Sequence, residues 1–250
     1  MKFHLKTLGA AIPSAIVCVA LFPAARAADK KPQASPQTVD AGSFGIFVKG
    51  ERVATESFTV QSQTSGSVIK AQVKAIAGND ASQKCHLEIT PNGELIRYEW
   101  SQSSGGSLSV IPNNDFLLEK ITAPSSSKSA EQPFLMPSTS AILDNNFFVH
   151  REVLVWRYLA AACKPQGSGF KCQQDPGDFG VIIPQDRLSM HVRIELVGKE
   201  KVSVRGTDRD LMRLNLKGDN FDWALWVDEQ DQFKLIRVAI PADNTEVVRD

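Results

Sequence analysis

The stretch Thr139–Lys164 constrains this chain most, because it is the one long helical pattern among many short strand patterns. Ser138, Thr139 or Ser140 stands where an N-cap belongs, and Asp144 falls near the positive end of the helix dipole. The breaker cluster over residues 165–169 stops the pattern. At about 100° per residue its apolar side chains point in several directions. Leu143, Phe147, Leu154 and Tyr158 form one stripe, Ile142, Val149, Val153 and Trp156 another, and Phe148, Val155 and Leu159 fall elsewhere. A helix that is apolar nearly all round must be covered on more than one side. The expectation is a helix lying across a curved sheet, as a core plug or as a lid over an apolar cavity. Arg151, Glu152 and Arg157 interrupt it. They are placed to pair with one another or to cap a ligand headgroup, although the five-residue offset between Glu152 and Arg157 suits direct pairing poorly.

The covering material is strand-like. From Gly42 the chain alternates apolar and polar residues in short runs separated by turn signals, of which Pro91-Asn92-Gly93 is the strongest. About seven strands precede the helix, ending near Ile121, and the Ser/Pro-rich stretch 124–137 reads as a mobile loop. After the helix, strands resume with Phe179–Ile183 and Met190–Val197. Gly198-Lys199-Glu200 then reads as a turn before Val202–Val204, and three further strands end at Ile240. The fold expected is mainly β: a curled antiparallel sheet or half-barrel of about twelve strands, with the helix in its concavity, forming a single domain over residues 42–250.

Met1–Ala27 has a basic start at Lys2 and Lys6, an apolar centre and an Ala25-Arg26-Ala27 cleavage pattern, which reads as a secretory signal peptide. Pro13 and Pro23 interrupt a run already short of the roughly 20 residues needed to span a bilayer. Residues 28–41 read as a disordered tether, and no later stretch suits a transmembrane span, so the protein is expected in the periplasm or secreted. The full chain carries 28 bases and 28 acids. Loss of Lys2, Lys6 and Arg26 leaves 25 bases against those 28 acids, which gives no basic footprint for nucleic acid.

Export changes the meaning of the cysteines. Cys163 closes the helix, and an eight-residue Gly-rich loop separates it from Cys172, so a bridge between them would pin the helix end. Cys85 is then the odd thiol. It shares a strand face with Leu87 and Ile89 and reads as a buried core cysteine, with exchange of partners among the three as the alternative.

Three features together resemble the periplasmic half-barrel proteins, such as the outer-membrane lipoprotein carrier and receptor. They are the early Gly45–Gly50 hairpin, the mid-chain helix, and the closing pair Leu225–Asp228 and Leu235–Val238. That resemblance implies binding of an acyl chain or other apolar ligand without catalysis, and no family site residue carries over to this chain.

The residues themselves offer no complete catalytic set, so no enzyme is expected. Cys85 and His86 are strand neighbours that point to opposite faces. His150 reads as a hydrogen-bonded core or rim histidine within reach of Asn146, and His191 as exposed. No spacing suits a metal, no glycine-rich loop precedes a helix, and no cofactor is implied. The aromatic residues Tyr98, Trp100, Phe147, Phe148, Trp156, Tyr158, Trp223 and Trp226 suit either core packing or a shared cavity wall. Trp223 and Trp226 lie on opposite faces of one strand, so one of them must face away from the main core, toward an edge, a partner or solvent. The expected site is therefore an apolar pocket touched by Phe147, His150, Leu154, Trp156 and Tyr158. The expected function is binding or carriage of an apolar or amphiphilic ligand, the alternative being an envelope assembly protein that binds another protein and no small ligand.

Overall fold

The computed structural model describes residues 35–76, 82–126, 128–167, 169–173 and 175–250. The signal-peptide reading of residues 1–27 lies outside them.

Eight antiparallel strands run in sequence before the helix. They are β1 (Gln37–Val48), β2 (Glu51–Gln63), β3 (Gly66–Ala75), β4 (Gln83–Ile89), β5 (Leu95–Gln102), β6 (Ser107–Asn113), β7 (Phe116–Thr122) and β8 (Ser129–Phe134). The short β9 (Ala141–Ile142) and helix α1 (Val149–Ala162) follow, then the hairpin β10 (Cys163–Gln166) and β11 (Gly169–Cys172). The last six strands are β12 (Gly177–Ile183), β13 (Leu188–Val204), β14 (Thr207–Gly218), β15 (Phe221–Asp228), β16 (Lys234–Ile240) and β17 (Thr245–Arg249).

All but β10 and β11 join one 15-stranded sheet in the order β8-β7-β6-β5-β4-β3-β2-β1-β17-β16-β15-β14-β13-β12-β9. The first and last strands of the chain meet at its middle, where Val48 faces Thr245 and Phe44 faces Arg249. The two outer strands, β8 and β9, are consecutive in the chain, and residues 135–140 connect them. The sheet stays open, because β8 pairs only with β7 and β9 pairs only with β12, in parallel.

Strand alternation sets the two faces. Val60, Ile69, Leu87, Tyr98, Val110 and Glu119 are successive cross-strand partners from β2 to β7, and all are buried. The next row, Thr59, Lys70, His86, Glu99, Ser109 and Lys120, points the other way. The buried rows from both halves of the sheet form one continuous core around α1. The sheet is curled because a single helix reaches both halves: its N-terminus bonds Glu56 of β2, and Glu152 and Trp156 bond the backbone of Leu235 and Phe233 at β16.

Several sequence expectations need correction. The sheet has 15 strands, and 17 are found among the described residues, against about twelve expected. Residues 129–134, expected in a mobile loop, form edge strand β8 against β7. Gly198-Lys199-Glu200 is not a turn: at φ +139° Gly198 sits beside a bulge that lets β13 run unbroken for 17 residues. Strand β17 was not anticipated, and β1 starts at Gln37, inside the stretch read as tether.

The bulge also explains the second tryptophan. Past it, β13 and β14 carry Val202, Val204 and Leu211 onto the outer face, where they bury Trp226 and Ile236 in a small second cluster. Trp226 is therefore covered rather than exposed. Its indole N–H donates to Glu200 at 2.9 Å, and Arg213 and Arg237 lie over its ring. Trp223, on the inner face, stacks against the Arg151 guanidinium at 4.9 Å.

Candidate functional site

Helix α1 is ten residues shorter at its start than the sequence pattern suggests, and neither Ser138, Thr139 nor Ser140 caps it. Instead Asp144 accepts from the backbone N–H of Asn146 and from the Tyr98 hydroxyl, which holds residues 144–147 in a turn. The helix begins at Val149 with its cap supplied from across the core. Glu56 of β2 accepts from the backbone N–H groups of Phe148 at 2.6 Å and Val149 at 3.2 Å. An acceptor at these orphan donors also meets the positive end of the helix dipole.

This capping layer is a buried cluster of ionisable side chains. Arg151, 1% exposed, donates to the carbonyls of Asp144 and Phe147 and stacks on Phe148 and Trp223. Burial lowers its pKa to about 10, with Asp144 and Glu56 opposing, so it stays charged at neutral pH. Burial raises Glu56 to about 8, against its two backbone bonds and Arg151. Glu152 is also fully buried. It accepts from Leu235 N–H and faces Arg249, which pairs with buried Asp40 where β1 and β17 meet. Burial raises the Glu152 pKa well above the ordinary carboxylate range, and its partners lie on the sheet rather than at Arg157.

His150 does not touch Asn146, whose side-chain amide donates to Gln83 and Gln185. Its Nε2 lies 3.6 Å from the Cys85 sulfur, and its ring packs against Tyr98 and Phe147. Burial drives the His150 pKa down to about 3 and pushes the Cys85 thiol well up, so both are neutral. A thiol–imidazole contact of this kind packs the core and lacks the thiolate that nucleophilic chemistry uses. His86 points outward toward Glu88, and His191 is exposed. No group of three or more His, Cys, Asp or Glu side chains suits a metal among the described residues.

Between α1 and the inner faces of β3–β5 lies a cavity of about 590 Å3. Leu87, Ile89 and Leu95 form one wall, Val153 and Leu154 the facing helix wall, and Phe179 of β12 one side. Its mouth is framed by Ala160 and Ala161 near the helix end and by the Pro91–Gly93 turn. The volume falls within the roughly 300–1,000 Å3 of small-molecule sites, and the lining is mostly apolar. A larger concavity of about 840 Å3 lies over the outward face of β2–β8, where Ser57, Thr59, Lys70, Ser101 and Ser107 face solvent. It is the more open and polar of the two, so the inner cavity is the better site for a greasy ligand.

Of the residues singled out from the sequence, His150, Leu154 and Trp156 line the inner cavity. Phe147 and Tyr158 are buried off it, and Tyr158 donates its hydroxyl to the Asp175 carbonyl. Among the aromatic residues considered for a shared wall, Trp156 alone contributes. The sheet side of the site is not legible from the helix, because Leu87, Ile89 and Leu95 come from strands far earlier in the chain. Arg157 was flagged as a headgroup cap, and it stands at this cavity. The expected disulfide between Cys163 and Cys172 is present, joining β10 to β11 directly after α1, and Cys85 is free and buried. No helix among the described residues is long and apolar enough to cross a membrane. Comparison with protein-family models, curated proteins and solved structures finds no match.

Proposed function

We propose that this protein is an exported binding or carrier module for an apolar or amphiphilic ligand such as a lipid or an acyl chain. The observation that carries the reading is the inner cavity of about 590 Å3, open beside the helix end and walled by aliphatic side chains. A core of this size normally interdigitates with few voids larger than water. A void walled by Leu, Ile and Val costs contact energy unless something fills it. The resemblance to the lipoprotein carrier and receptor implies the same ligand class. The leader pattern over residues 1–27 supports export to the periplasm or beyond, and the Cys163–Cys172 bridge is compatible with such an oxidising compartment.

The second reading, an assembly protein that binds another protein, draws on one observation. Edge strand β8 ends at Phe134, and the residue after it, Leu135, is 89% exposed beside the unpaired strand edge. Pro133, which has no N–H to offer, and charged Glu131 and Lys128 along that edge weigh against strand addition there.

Native mass spectrometry of protein purified without detergent, followed by solvent extraction, separates the two. A lipid-sized adduct near one per chain is the expected result. A clean mass that takes up no added lipid would leave the assembly reading standing.

A further inference from the structure

The cavity's lining contains one charged side chain, Arg157, and it stands at the mouth. Nη1 of Arg157 donates to the Thr139 carbonyl at 2.8 Å and to the Gly93 carbonyl at 3.5 Å, and the guanidinium lies 5.4 Å from the Phe179 ring centroid. These contacts fix its position without neutralising it. Among the described residues Arg157 forms no ion pair, whereas Arg249, which also reaches the core, pairs with the Asp40 carboxylate. Glu94 is the acid whose field reaches Arg157, and it makes no salt bridge with it. Among the described residues the fork's remaining donors, Nε and Nη2, have no protein partner.

A second observation points the same way. Ser140 follows Thr139 directly, lines the same cavity, and is 2% exposed. Its hydroxyl has no hydrogen-bond partner among the described residues. A buried hydroxyl without a partner costs free energy, so a polar group beside the apolar walls is something a ligand can satisfy. Residues 138–140 are themselves tied down, since the Ser138 carbonyl accepts from Leu95 N–H at 2.7 Å.

We infer that the ligand is an amphiphile with an acidic head, a carboxylate or a phosphate, whose chain fills the apolar cavity and whose head is held by Arg157, with Ser140 as a further donor. A planar guanidinium with two free donors matches both acids. The inference rests on the carrier reading and sharpens it to a headgroup.

The test is displacement of a neutral apolar fluorophore, N-phenyl-1-naphthylamine, by dodecanoate, dodecyl phosphate and 1-dodecanol, which share one chain. The acids should displace it at about ten- to hundredfold lower concentration than the alcohol, the range for a charge-assisted hydrogen bond. Arg157→Gln should bring the acids to the level of the alcohol while the fluorophore still binds, and its binding reports that the variant is folded. Arg157→Lys should keep part of the preference. Whichever acid binds more tightly identifies the head as carboxylate or phosphate. Equal displacement by acid and alcohol, or a preference that survives Arg157→Gln, would overturn the headgroup assignment and leave the carrier reading intact. Failure of the fluorophore and all three amphiphiles to bind wild-type protein would overturn both.

Discussion

Replacing Glu56 with alanine removes the cap of a helix 92 residues away in sequence, and the structure sets the size of the effect. The carboxyl serves two buried backbone donors, on Phe148 and Val149. Each orphaned buried donor costs about 1–3 kcal/mol, and relief from burying the carboxyl returns part of this. A net loss of about 2–4 kcal/mol at pH 7 is expected, read from urea unfolding followed by tryptophan fluorescence. Glu56→Gln adds a pH signature. The carboxyl ionises near 4.5 when unfolded and at about 8 in the fold, so it contributes stability that is full below pH 4.5 and lost as pH rises through 8. That difference is worth up to roughly 5 kcal/mol across the window. The glutamine variant lacks this fall, so its deficit against wild type should be largest in acid and shrink toward pH 8. His150, kept neutral down to about 3, works in the opposite direction below 6.5 and is common to both proteins, so the difference isolates Glu56. A midpoint for Glu56→Ala within about 0.5 kcal/mol of wild type would refute the capping argument. Parallel pH curves for wild type and Glu56→Gln would refute the assigned ionisation.

Two further variants probe the frame of the site. Glu119 faces the core from β7 with neither carboxyl oxygen hydrogen-bonded among the described residues, and burial raises its pKa to about 7 against the pull of Arg187. Glu119→Gln should therefore gain stability relative to wild type as pH rises from 4.5 to 7, by at most about 3 kcal/mol, with no further change above; denaturation midpoints at pH 5 and pH 8 check this. Replacing both Cys163 and Cys172 with serine frees a loop of nine residues' separation, and should cost about 2–3 kcal/mol by the loop-entropy argument. Thermal unfolding with and without reductant should show that loss in wild type and no reductant effect in the variant.

What could be read in advance depended on whether the physics was local. The all-round apolarity of 149–159 is a property of one stretch, and it foretold a helix buried on several sides. The Pro91–Gly93 turn and the Cys163–Cys172 loop were legible for the same reason. The start of the helix was not. Residues 139–148 share its apolar spacing, yet Asp144 satisfies Asn146 locally, and the cap comes from Glu56, which no window around the helix contains. Strand β8 reads as polar loop because it is an edge with little apolar burial, and β13 reads as two strands because Gly198 marks a bulge as readily as a turn. Half of the site was visible on the helix, in His150, Leu154, Trp156 and Arg157. The other half, Leu87, Ile89 and Leu95, does not stand out from ordinary strand residues, and only the curl of the sheet turns them toward Val153.

The central claim is that the space between α1 and β3–β5 receives an apolar ligand, and Val153 offers the most direct test. It is half-buried on the helix wall of the cavity, so tryptophan there extends into the void rather than into packed core. Fluorescence titration with N-phenyl-1-naphthylamine should show saturable binding near one per chain in wild type. Val153→Trp should lose that binding by tenfold or more at nearly unchanged unfolding midpoint. Wild-type protein that binds no probe, or a Val153→Trp variant that binds it as tightly as wild type, would contradict the account.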